Sequence, residues 1–238
     1  MYQSGKLYIV ATPIGNLEDI TLRALRTLKE ADLILCEDTR VAKKLLDRYK
    51  IQKPLLSYHH HSKLSRVEKI VEHLENGKVL ALVSDAGTPG ISDPGNELSA
   101  FLLNSKTKSW ERFPRLSLGK EIEIVPIPGV SAVTAIASVA GINMSKFCFF
   151  GFPPHKKGRE TFFRGVAEAK YPVVYFESPH RFLKNLELLQ KFKPDAKLVI
   201  GRELTKMFEE VKRGNISEVL EYYKNNNKVK GEFVVIAH

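Results

Sequence analysis

Apolar positions along this chain follow two rhythms: short continuous runs, and stripes that recur three or four positions apart. The runs Leu7–Ala11, Leu33–Glu37, Pro54–Tyr58, Lys78–Ser84 and Glu121–Ile127 read as strands. Helical stretches lie between them: Leu17–Glu30 with the stripe Ile20, Leu22, Leu25 and Leu28, then Arg40–Tyr49, Leu64–Asn76 and Gly95–Leu103. This alternation predicts an α/β fold with a mainly parallel sheet covered by helices on both faces. Residues 104–120 break the rhythm with Ser, Lys, Arg and the single Trp, so an exposed insertion is expected there. A second set starts near Lys146, with strands Phe147–Phe152, Val173–Glu177, Lys197–Arg202, Glu209–Lys212 and Glu232–Ala237. Its helices are expected at Glu160–Ala169, Arg181–Phe192 and Ser217–Lys224, with Ser178 capping a helix that Pro179 opens.

Three of the first-half strands empty into turns rich in small residues. They are Thr12-Pro13-Ile14-Gly15-Asn16, the segment from Ser84 to Gly95, and Pro128-Gly129-Val130-Ser131-Ala132. In the second of these, Gly87, Gly90 and Gly95 permit positive φ and close approach of the main chain to a ligand. Each alone is an ordinary tight turn. Together they would line one crevice, because ligands in open α/β sheets sit outside the carboxyl ends of strands. Neither a G-x-G-x-x-G fingerprint nor a P-loop lysine is present, so the usual pyrophosphate cradle is excluded.

Short motifs in a fixed order then carry a resemblance over essentially the whole chain. They are Ala11-Thr12-Pro13-Ile14-Gly15-Asn16-Leu17, Glu37-Asp38-Thr39-Arg40, Ser84 to Pro89, Pro128 to Ala132, Glu177-Ser178-Pro179-His180-Arg181 and Gly231-Glu232-Phe233. In this order they resemble the tetrapyrrole-methylase superfamily. The first, second and fifth are similar to its RNA-modifying branch, which methylates the 2′-oxygen of a cytidine in small-subunit (16S) ribosomal RNA. The resemblance implies two α/β domains, 1–127 and 128–238, with the cofactor cleft between them. It implies S-adenosyl-L-methionine held by Pro13, Ile14, Asp85, Ala86, Gly87, Thr88, Ile91, Ser131 and Ala132, with Asp85 shaping its loop. Glu177, Leu204 and Glu232 are implied from the second half. In this branch Thr12-Pro13-Ile14 replaces the glycine-rich start of the porphyrinoid enzymes, and Thr88 stands where those enzymes often carry Asp. A homodimer is also implied.

Methyl transfer from a sulfonium is an in-line displacement in which positioning supplies much of the rate. A ribose hydroxyl is a poor nucleophile, so a base or a polarising cation helps. The motifs offer Arg40, Glu177, His180, Glu203 and Lys206 as candidates for that catalytic role, without selecting one.

The net charge of +10 favours a polyanionic partner. The basic turn Lys156-Lys157-Gly158-Arg159 is the candidate phosphate grip for an RNA, free or in the assembled small ribosomal subunit. Basic residues of the insertion compete with a solvated-loop reading. No apolar run reaches the roughly 20 residues of a membrane span, and the stretch from Met1 to Lys6 has no signal-peptide core. A cytoplasmic protein with no membrane partner is expected. Cys36 and Cys148 read as reduced thiols in apolar surroundings. Consecutive imidazoles at His59-His60-His61 alternate faces and would not converge on one ion, so no metal is expected. Members of this branch often extend beyond the last strand, whereas this sequence stops at Ala237-His238; if such an extension helps to hold RNA, basic loops or a partner subunit are expected to take its place. Two rivals stay open: a methylase of a tetrapyrrole or other small molecule, and a non-catalytic RNA-binding protein.

Overall fold

Leu33 and Leu35 face one layer of the first sheet while Ile34 and Cys36 face the other, and the same alternation separates Leu80 and Leu82 from Ala81 and Val83. Strands buried on both faces explain why these segments read as continuous apolar runs. The computed structural model describes residues 5–59, 62–93, 96–103, 122–226 and 229–238, in two compact units, Met1–Ser131 and Ala132–His238. The insertion 104–120, with His60, His61, Pro94 and Gly95, lies outside the described residues.

In the first unit, strands β1 (Lys6–Val10), β2 (Leu33–Cys36), β3 (Leu55–Ser57), β4 (Val79–Val83) and β5 (Glu123–Ile127) pair in the order β3-β2-β4-β1-β5. All pairs are parallel. Helices α1 (Leu22–Glu30) and α2 (Thr39–Arg48) bury Ala24, Leu28, Ala42 and Leu46 against one face. Helices α3 (Leu64–Glu75) and α4 (Asn96–Leu103) bury Val67, Ile70, Leu74, Leu98 and Phe101 against the other. Each fully buried Leu, Ile or Phe here stabilises the unit by about 1.5–3 kcal/mol relative to exposure. The expected helix from Leu17 is broken. Leu17–Asp19 forms a 3-10 turn closed by the Asn16 side chain, Ile20 is extended, and Thr21 caps α1 by accepting from the Ala24 N–H at 3.0 Å. Two short polar side chains that bond their own backbone outcompete the apolar stripe.

The second unit starts with α5 (Ala132–Ser138), followed by β6 (Cys148–Phe149), α6 (Arg159–Glu168), β7 (Val173–Glu177) and α7 (Phe182–Phe192). It continues through β8 (Lys197–Arg202), β9 (Glu210–Asn215), α8 (Ile216–Asn225) and β10 (Phe233–Ala237). The sheet order is β6-β7-β10-β8-β9, with β6–β7 parallel and the remaining pairs antiparallel. Phe163, Tyr175, Phe182, Leu189, Tyr223 and Phe233 fill one face, with Phe182 stacked on Phe233 at 4.3 Å between ring centroids. Ile136 of α5 is fully buried as well.

Three local expectations are corrected. Ser178 does not cap α7 through its side chain: Arg181 is the cap residue, and the Ser178 carbonyl accepts from the N–H groups of Arg181 and Phe182. Pro179 therefore lies in the turn, one residue pair ahead of the helix. Strand β6 is confined to Cys148–Phe149, because Gly151 turns the chain at φ +66° before Pro153 and Pro154. Strand β9 runs on to Asn215, where a capping box with Glu218 starts α8 at once.

Candidate ligand site at the strand ends

Strands β4, β1 and β5 are neighbours and parallel, so the three small-residue turns leave the sheet side by side. Hydrogen bonds lock them together. The Thr12 N–H donates to the Gly87 carbonyl at 2.8 Å, and the Gly87 N–H returns to Thr12 at 3.0 Å. The buried Thr12 hydroxyl donates to the Ser84 carbonyl at 3.3 Å. The Thr88 hydroxyl donates to Val130 at 3.0 Å, tying the β4 turn to the β5 turn. Gly87 sits at φ +80°, and a Cβ there would stand 3.4 Å from Ile14 Cγ2 and 3.8 Å from the Val130 oxygen. At Gly129 a Cβ would come within 2.9 Å of the Ala11 Cβ. The turns are thus packed main chain against main chain, with Pro13 and Ile14 buried beside them. Ala86 and Thr88 are half-buried, and Ile91 is exposed at the rim. This small-residue cradle fits the adenosine part of the expected cofactor. Ser131 ends the first unit and Ala132 opens α5.

Beside the cradle, on the same sheet edge, opens a polar cavity of about 580 Å³ lined by Glu37, Asp38, Thr39, Arg40, Ser57, His59 and Asp85. Asp38 caps α2, its carboxylate accepting the Arg40 N–H at 2.8 Å. The same carboxylate takes the Arg40 guanidinium through Nε at 3.0 Å and Nη2 at 2.6 Å. The hydrogen bonds from Arg40 hold the Asp38 carboxyl down at about 2. The Asp38 N–H donates to the Asp85 carboxylate at 3.0 Å, so Asp85 belongs to both the β4 turn and the cavity. Below it, burial, with the Asp85 and Asp38 carboxylates, pushes the Cys36 thiol up to about 11. The sequence reading held Glu37 only as part of a motif and His59 only as one of three consecutive histidines, and it did not single out Ser57. The available signal was that β3 pairs with β2, which brings the end of β3 to this edge.

The second unit holds the remaining expected residues in three places. Glu177 is buried at the end of β7, accepting from the Ser178 N–H at 2.7 Å and from Asn185 Nδ2 at 2.5 Å. Burial raises its carboxyl above the ordinary value against those hydrogen bonds. His180 is exposed in the following turn. After β8, Glu203 and Thr205 adopt φ of +51° and +67° around the buried Leu204. Non-glycine residues in that region carry strain of order 1–3 kcal/mol each. Lys206 Nζ bridges Glu203 at 2.9 Å and Glu232 at 3.1 Å. Burial opposes the Lys206 charge, but hydrogen bonds to both glutamates hold its ammonium above the ordinary value. These two ion pairs fix the position of its ammonium group. In the basic turn, Lys156 and Lys157 are exposed. Arg159 instead donates to the carbonyls of Pro154, at 3.2 Å, and His155. Among the described residues no cluster of His, Cys, Asp or Glu is arranged to hold a metal ion. Nor is any helix among them long and apolar enough to cross a membrane.

Comparison with known proteins bears on what these loops serve. Residues 6–220 match the family model of tetrapyrrole (corrin/porphyrin) methylases. The chain is 43% identical to a ribosomal RNA small subunit methyltransferase I of Thermotoga maritima, over 98% of this chain and 97% of the relative. It is 42% identical to one from Neisseria meningitidis, over 98% of this chain and 76% of the relative. Among solved structures, a cobalt precorrin-4 methyltransferase of cobalamin biosynthesis superposes with a TM-score of 0.67. At 21% identity, over 97% of this chain and 94% of that one, it speaks for the fold alone.

Proposed function

The chain belongs to the tetrapyrrole (corrin/porphyrin) methylase family, and from that membership we propose that it is an S-adenosylmethionine-dependent methyltransferase of small-subunit (16S) ribosomal RNA, acting on the 2′-oxygen of a cytidine. The observation that carries this reading is the near-full-length similarity to ribosomal RNA small subunit methyltransferases. The cofactor, when bound, supplies an electrophilic methyl group on a sulfonium. The chain's part is to hold donor and acceptor in line. Pro13, Ile14, Ala86–Thr88, Ile91, Ser131 and Ala132 are the proposed donor contacts. A role for Glu177, Leu204 and Glu232 toward the donor is likewise proposed. Lys206, already neutralised by Glu203 and Glu232, is suited to orienting polar groups rather than accepting a proton.

The proposed partner is ribosomal RNA, either free or in the assembled small subunit, met in the cytoplasm by a homodimer of this chain. The excess of basic residues agrees with a polyanion. The deciding experiment offers labelled S-adenosylmethionine with assembled small subunits, naked ribosomal RNA and a porphyrinoid precursor in parallel. Label is expected in RNA, at a linkage that resists alkaline hydrolysis, since a methylated 2′-oxygen cannot attack its neighbouring phosphate. Label on the porphyrinoid, or on a base, would overturn the reading. Absence of any heat on titrating S-adenosylmethionine would leave a non-catalytic RNA binder.

A further inference from the structure

The cavity lined by Glu37, Asp38, Arg40, Ser57, His59 and Asp85 differs in charge from the molecule that carries it. Its lining includes three acidic residues and one arginine, within a chain of net charge +10. Such a site disfavours phosphate and suits a neutral group that offers a hydrogen-bond donor to a carboxylate beside acceptors for the guanidinium. Its volume of about 580 Å³ falls within the range of roughly 300–1,000 Å³ typical of small-molecule pockets. It also shares Asp85 with the turn that forms part of the donor cradle. Whatever enters it lies next to the proposed donor cradle.

Resting on the RNA reading above, we propose that this cavity receives the extruded cytosine of the acceptor nucleotide, with Glu37 and the Asp38–Arg40 pair reading its Watson–Crick edge. The reacting atom is the ribose 2′-oxygen, so the base on that same ribose lies within one nucleotide's length of the donor, and turning it out of its stack costs only a few kcal/mol. The cytosine edge presents a donor, the 4-amino group, beside two acceptors, N3 and O2. A carboxylate accepts from the amino group, and an arginine donates to the acceptors. Uracil reverses the first two, setting its O4 against the carboxylate and its N3–H against the guanidinium. Arg40 is prepared for this task. Its Nε, Nη2 and main-chain N–H are all committed to Asp38, which fixes the plane of the fork. Its Nη1 makes no hydrogen bond among the described residues. The Arg40 side chain is 87% exposed, so its removal leaves the core intact.

The test compares single-turnover methylation of two small-subunit RNAs that differ only in C or U at the acceptor position. The wild-type protein is expected to prefer C by on the order of tenfold or more. Arg40→Ala and Glu37→Gln are each expected to bring that preference toward one and to raise the KM for RNA. Affinity for S-adenosylmethionine, read by calorimetry, should stay at the wild-type value and doubles as the control for folding. Variants that keep the wild-type preference, or that lose donor affinity, overturn the proposal while leaving the RNA reading standing. A wild-type protein that binds the donor yet methylates neither RNA overturns the RNA reading, and this proposal with it.

Discussion

Gly87 is where a single residue controls the donor cradle. Its φ of +80° and its paired bonds to Thr12 leave no strain-free conformation for a branched side chain. Gly87→Val is expected to cut S-adenosylmethionine affinity by tenfold or more and to lower the melting temperature by about 2–8 °C. Calorimetry and a thermal scan read the two effects separately, and an unchanged donor affinity would refute the cradle. Glu177 gives a second expectation, through pH. Burial raises its folded-state carboxyl, so the stability it contributes is full below the unfolded value near 4.5 and is lost as pH rises through the folded value. Glu177→Gln removes the buried charge, and Asn185, whose buried Oδ1 has no partner among the described residues, can turn to accept from the new amide. The variant should therefore equal or exceed the wild type in melting temperature at pH 7. The gap should close or reverse below about pH 4.5. A variant much less stable at pH 7 would show that the ionised carboxylate is needed to hold the β7–α7 turn.

At the scale of elements, the basic turn before α6 divides its labour in a way that composition conceals. Arg159 spends its guanidinium on the carbonyls of Pro154 and His155, whereas Lys156 and Lys157 project outward, exposed. Arg159→Ala is expected to cost about 1–2 kcal/mol of stability, seen as an earlier denaturation midpoint. Lys156→Ala with Lys157→Ala should leave the midpoint in place. If the turn grips single-stranded RNA, that pair should flatten the slope of log K against log salt by about 1.4. An unchanged slope would remove the turn from the RNA surface. The same scale explains the α7 start. The main-chain carbonyl of Ser178 takes over the bonding that its hydroxyl was expected to supply, while its N–H donates to Glu177.

For the molecule as a whole, the expectation is a two-fold homodimer, the commonest closed arrangement of identical chains. Light scattering at micromolar protein should give twice the 26.9 kDa of the chain, and a monomer mass would end the idea. The positive charge predicts that RNA affinity falls steeply with salt while donor affinity barely changes.

The strands, nearly all the helices and the three turns at the first sheet's edge were legible from the sequence alone, because apolar periodicity, caps and glycine turns act over a few residues. Val173–Glu177 and Lys197–Arg202 agree with the structure to the residue. The motif resemblance likewise pointed to the family that the comparisons establish. Tertiary structure decided what lies next to what. Thr12 and Gly87 are 75 positions apart, and only the order β3-β2-β4-β1-β5 makes their turns neighbours and opens a polar cavity at the ends of β2 and β3. Whether Glu177 is buried depends on contacts between segments distant in sequence, such as its pairing with Phe233 of β10. Local pattern carries no record of them, since strand pairing and side-chain burial are properties of the packed chain.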